Sequence, residues 1–138
     1  MRIPLVTVLM AMMFVTSACG FAEGKDAAEK AMDQFHQQFN GEQYSEIYAG
    51  ADAQFKRATT EAALTQLLQA VRRKIGTFKQ ARQTNFNIVS GTNGTSVTMV
   101  YASEFAQGSA TEQFMYTIVG SKGVLVGYNI NSPDLILK

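Results

Sequence analysis

Few side chains in this chain can do chemistry. Cys19 is its only cysteine and His36 its only histidine. A lone thiol can attack an electrophile, join a metal site, bridge to another chain or carry a modification. An intramolecular disulfide needs a second cysteine, and a Cys or Cys/His metal site needs more ligands than this chain supplies. Glu104 and Glu112 fall in different registers of their segments, so no pairing as general acid and base is expected of them. Tyr101, Tyr116 and Tyr128 recur on an apolar parity, where their hydroxyls could line a pocket. The expectation is that the three rings fill the core, each hydroxyl finding a partner. No Ser/His/Asp spacing, phosphate-loop glycine pattern or histidine pair at metal spacing is present, so no metal or cofactor is expected.

These groups must be positioned by helices in the first half of the chain and strands in the second. In "DAAEKAMDQFHQQFN", Ala28, Met32, Phe35 and Phe39 form one helical face, with Asp26 and Glu29 close to a capping box and Asn40-Gly41 as the stop. His36 stands roughly 80° from that stripe at about 100° per residue, which makes it a boundary histidine rather than a base; Asp33 faces solvent. "EQYSEIYAGADAQF" reads as a shorter helix carrying Tyr44, Ile47 and Tyr48, broken near Gly50. A loop with Phe55 follows, in which Asp52 bonds its own backbone. "TEAALTQLLQAVRRKIG" is the clearest helix: Leu64, Leu67, Leu68, Val71 and Ile75 share a stripe, Thr60 caps it and Gly76 ends it.

From Thr77 the apolar period changes to two. Thr84, Phe86 and Ile88 alternate, as do Val97, Met99, Tyr101, Ser103 and Phe105. Phe114, Tyr116 and Ile118 follow, then Val124, Val126, Tyr128 and Ile130. Short glycine-containing connections join the four runs, which predicts an antiparallel meander and an α+β fold. The opposite face, with Val100, Ala102, Glu104, Gln113, Met115, Thr117, Val119 and Leu125, is too apolar for an ordinary wet face. It is a candidate for pairing with another subunit.

The N-terminus gives Cys19 its context. Arg2 is followed by an uncharged run from Leu5 to Val15 and then by Thr16, Ser17 and Ala18. This is the layout of a secretory signal, and a run of roughly 16 Å is short of a bilayer core of about 30 Å. Small residues leading into a cysteine resemble a bacterial lipoprotein signal, with Thr16 where Leu is usual. That likeness implies a signal peptide over 1–18, acylation of Cys19 and a lipidated, flexible tether over 19–25. A single α+β domain over 26–138 then stands on the membrane. Each buried CH₂ of such an anchor contributes about 0.8 kcal/mol. Gly20 after the cysteine implies the outer membrane, facing the periplasm, if the source is Gram-negative. Asn93-Gly94-Thr95, a glycosylation acceptor elsewhere, is here expected to be a turn.

The chain has 12 basic and 11 acidic residues, and loss of Arg2 with the signal balances them. Nothing in that balance suggests nucleic acid, and "VRRK" at 71–74 suits a helix C-terminus. About 120 residues make one domain.

Helices followed by a meander ending in "GVLVGYNI", with "FNGEQYSEIYAGADAQF" and "KIGTFKQAR" before it, resemble the nuclear transport factor 2-like (cystatin-like) fold. The likeness is to small bacterial envelope proteins of uncharacterised function and covers most of 26–131. It implies a cone between helices and curved sheet. The function expected is a non-catalytic binding or protein-interaction module, membrane-bound through its lipid and able to form a homodimer through the sheet face. The alternatives are a small-ligand carrier or cone-pocket enzyme using Tyr101, Tyr116 and Tyr128, and an immunity-type protein against a toxin.

Overall fold

The computed structural model describes residues 17–137, with side chains from residue 20. Most of the expected signal peptide and the Cys19 thiol therefore lie outside the described residues. Among the described residues no helix is long and apolar enough to cross a membrane.

The first helix, α1, spans Ser17–Asn40 and stops before Gly41 as the sequence predicts. Its start differs from expectation. Residues 20–25, expected as a flexible tether, continue the helix, and Gly24 is buried against the sheet. Asp26 is thus not a cap; it pairs with Lys30 one turn on. Small and polar residues look like linker chemistry, whereas Gly24 is small to let the helix approach Ile88.

Two short helices follow, α2 (Tyr44–Ala49) and α3 (Ala53–Ala58), so Phe55 is helical rather than in a loop. Asp52 begins α3, its carboxylate accepting from the Gln54 N–H at 2.8 Å. The long helix α4 (Glu61–Ile75) has the expected caps, with Thr60 Oγ1 accepting from Ala63 N–H at 3.1 Å and Gly76 ending it. Leu64, Leu68, Val71 and Ile75 are buried, while Leu67 at the margin of the stripe is exposed.

The strands β1 (Phe78–Gly91), β2 (Gly94–Phe105), β3 (Gly108–Val119) and β4 (Lys122–Asn131) form one antiparallel sheet in the order β1-β2-β3-β4. The α+β architecture, helices packed on a curved, open four-stranded meander, is as expected from the change of period. A short helix not anticipated in the sequence, α5 (Pro133–Leu137), closes the described chain.

Three register shifts interrupt the sheet; the first leaves Lys79 extra at the start of β1, and the other two alter which residues face the helices. Gln83 pairs with Tyr101 and Asn85 with Val100, leaving Thr84 as the extra residue on β1; it is exposed. Met115 pairs with Gly127 and Tyr116 with Leu125, leaving Val126 extra on β4. The bulge reverses parity, so Leu125 is buried in the core beside Tyr116, whereas simple alternation puts it on the opposite face. The helix-facing layer is otherwise as expected: Val97, Met99, Tyr101, Ser103, Phe105, Phe114 and Tyr116 are buried.

Asn40 ties the end of α1 to the start of β1. Its Oδ1 accepts from Phe78 N–H at 2.8 Å and its Nδ2 donates to Phe78 O at 3.0 Å. The Arg72 guanidinium of α4 donates to the Phe39 and Asn40 carbonyls at 3.2 and 2.9 Å, satisfying the last acceptors of α1.

Candidate functional site

The densest polar chemistry in the fold is a buried group on α1, β3 and β4. Phe35, His36 and Phe39 occupy the sheet-facing side of the last turns of α1. His36 lies four residues after buried Met32 and three before buried Phe39, so helical packing carries it inward with them. Glu112 shares the parity of Phe114 and Tyr116, which puts its carboxylate on the same inner layer. Tyr128 pairs with Phe114 across β3 and β4.

The three side chains meet at the Glu112 carboxylate. His36 Nε2 lies 2.9 Å from Oε1, and the Tyr128 hydroxyl donates to Oε2 at 2.6 Å. His36 is 3 % exposed and Glu112 is 1 % exposed. The tautomer with its hydrogen on Nε2 lets His36 donate to Oε1 while Tyr128 donates to Oε2. The His36 ring stacks on Phe78, with centroids 3.5 Å apart and planes 3° from parallel, and Phe35 and Phe114 close its edges. Its Nδ1 has no hydrogen-bond partner among the described residues.

Two of these residues stand elsewhere than the sequence suggests. His36, expected at the boundary of the core, is inside it, because the buried face of α1 is wider than the apolar stripe alone. Glu112, for which the sequence offers no acid–base partner in Glu104, has found a different one. Glu104 itself is on the outer face, where Gln80 donates to it at 2.6 Å. The signal for Glu112 is its parity with Phe114, which alternation offers to a carboxylate as readily as to a phenyl ring.

The three candidate pocket tyrosines share the inner layer, and none of them lines either of the two clefts that lie elsewhere in the fold. Tyr101 donates to Met99 Sδ at 3.4 Å, a weak acceptor. Tyr116 OH has no partner among the described residues, contrary to the expectation that every hydroxyl would be satisfied. Burial pushes the Tyr101 phenol up to about 12, with Glu29 and Asp33 adding to it. Burial, then the charge of Glu112, holds the Tyr116 and Tyr128 phenols well above their ordinary value. Phe114 and Leu68 fill the space between helices and sheet with no exposure at all.

A general base must come within hydrogen-bond reach of a substrate proton. His36 and Glu112 instead face Phe78, Phe35, Phe114 and Tyr128. The arrangement holds an imidazole, a carboxyl group and a phenol in fixed geometry.

Two clefts lie elsewhere. One of about 560 Å³ crosses the sheet near Gln80, Arg82, Glu104 and Asn131. Another of about 700 Å³ runs between α1 and the β3–β4 turn, from Glu23 to Gln34 and from Gly120 to Gly123. Among the described residues no three His, Cys, Asp or Glu side chains come together as a metal site.

No curated protein matches the sequence at a significant level. Residues 30–128 match the family described as protein of unknown function DUF4019, a span that includes His36, Glu112 and Tyr128. The chain belongs to that family.

Proposed function

We propose that this is an envelope-anchored, non-catalytic interaction module, held to the membrane by lipid on Cys19 and self-associating through the outer face of its sheet. The reading includes a nuclear transport factor 2-like fold, with which helices on a curved, open meander are compatible. It also places the domain at the outer membrane, facing the periplasm, in a Gram-negative source.

The observation that carries the proposal is the contrast between the two faces of the sheet. The inner face is closed, with Phe114, Met99 and Val97 fully buried under the helices. The outer face carries Val89, Met115 and Val119 exposed, with Val100, Ala102 and Val124 half-buried among Thr98, Gln113 and Thr117. At ~4.8 Å between strands and ~3.3 Å per residue, that face spans about 600 Å², near the roughly 800 Å² per partner of a stable complex. Two copies anchored in one membrane are also concentrated relative to one another, which favours weak contacts.

Two measurements test the reading. Intact mass of membrane-extracted protein is expected to show acyl chains on a chain beginning at Cys19, with Cys19→Ala leaving an uncleaved precursor; a cleaved chain with an unmodified N-terminus refutes the anchor. Sedimentation of the domain is expected to show dimer, and monomer alone at high micromolar concentration refutes self-association.

A further inference from the structure

Residue 19 lies within α1, and the helix is seated on the sheet less than two turns later. The Phe21 and Phe86 rings meet edge-on with centroids 5.6 Å apart, and Lys25 Nζ stands over the same Phe86 ring. A Cβ on Gly24 would lie 3.0 Å from Ile88 Cδ1, with Thr95 and Ile118 just beyond. At ~1.5 Å per residue, residue 19 is about 8 Å along the axis from Gly24. Lipid at Cys19 would therefore hold one particular pole of the domain at the membrane, with no slack to turn it away. That pole is where β1 turns into β2 at 91–94 and β3 turns into β4 at 120–121.

Its composition suits the position. From residue 86 through 98 there is no charged side chain, and from 113 through 124 Lys122 alone is charged. Phe21, Val89 and Val119 are each at least half exposed there. Glu23 and Asp26 of α1 line one cleft with Lys122, and Asp26 is paired with Lys30. The opposite pole, where Gly76 packs on Ala106, gathers Arg72, Arg73, Lys74 and Glu104.

Resting on the lipidation at Cys19 proposed above, we infer that the pole formed by Phe21, Val89, the 91–94 turn, Val119 and Lys122 is a bilayer-contacting surface seated in the headgroup layer. The helix α1 begins at this pole, at Ser17. Exposed apolar side chains gain by entering the interface, and a lysine without acidic neighbours on the sheet is drawn to an anionic leaflet. The strands then rise from the membrane, with Val89 and Val119 at the membrane end of the outer face and the rest of that face, around Met115 and Val100, turned sideways toward a second copy.

The chain contains no tryptophan, so an introduced one reports alone. Full-length Thr92→Trp and Arg73→Trp are matured in cells, checked by intact mass, and reconstituted into phosphatidylethanolamine–phosphatidylglycerol vesicles containing brominated lipid. The expected result is indole quenching in Thr92→Trp at least threefold greater than in Arg73→Trp. Acylated protein with equal quenching in the two variants overturns the contact surface and leaves the anchor standing. Protein without acyl chains overturns both. Indole fluorescence of Thr92→Trp shielded by concentration-dependent association, without lipid quenching, makes the pole an interface between copies and also overturns the inference.

Discussion

His36 and Glu112, 76 positions apart in sequence, lie 2.9 Å apart in the core of the fold, and the carboxylate is held from its other side by Tyr128. This contact fastens α1 to the middle of the sheet. A buried polar group left without its partner is costly, so the contact favours the docking of α1 that brings these two side chains together.

Removing one partner should therefore hurt more than removing both. Glu112→Leu leaves an imidazole and a phenol without their acceptor and is expected to cost about 1–3 kcal/mol for each. The double variant His36→Leu/Glu112→Leu should recover a good part of that loss. Urea unfolding of the wild type, the two single variants and the double variant checks it; purely additive losses would show that the contact has no energetic role.

Alkaline pH should unfold the domain. The Tyr101, Tyr116 and Tyr128 phenols are raised above their ordinary value near 10, so the folded state favours their neutral forms. Their contribution is complete below about pH 10, the unfolded value, and is lost as pH rises toward 12 and beyond. Phenolate absorbance followed together with circular dichroism should show these three ionising only as the fold melts. Their ionisation at about pH 10 in an intact fold would contradict the burial.

Gly123 sits where β4 passes under α1, and a Cβ there would lie 3.0 Å from Ala31 Cβ and 3.1 Å from Ala27 O. Gly123→Val should push the helix from the strand at a cost of about 1–3 kcal/mol. Thermal melting measures it, and an unchanged midpoint would mean the helix yields freely.

Met115 reports on the other face. Met115→Asp should leave unfolding free energy within about 0.5 kcal/mol, since the side chain is exposed. It should also convert dimer to monomer in sedimentation. Dimer persisting in this variant would move the contact away from the outer face.

The sequence is most legible where local signals agree. Thr60, the Leu64–Ile75 stripe and Gly76 define α4 from cap to end, and the parity of Val97 through Phe105 identifies the buried side of β2. Legibility fails where one inserted residue changes the phase. Thr84 and Val126 are ordinary strand formers, and nothing in an alternating pattern marks them as extra. The buried polar group is hidden for another reason: His36 and Glu112 are each unfavourable inside a protein, and only their meeting in three dimensions makes both positions tolerable.

Asn40 has a consequence for the free side of β1. In an antiparallel pair, facing residues exchange two backbone hydrogen bonds. The Asn40 amide makes that same exchange with Phe78, acting as a one-residue neighbour strand. The edge of the sheet is thereby stoppered at its first rung, and any chain adding itself along β1 must begin beyond it. Asn40→Asp would keep the acceptor and lose the donor, unlatching half of that stopper while leaving the sheet intact.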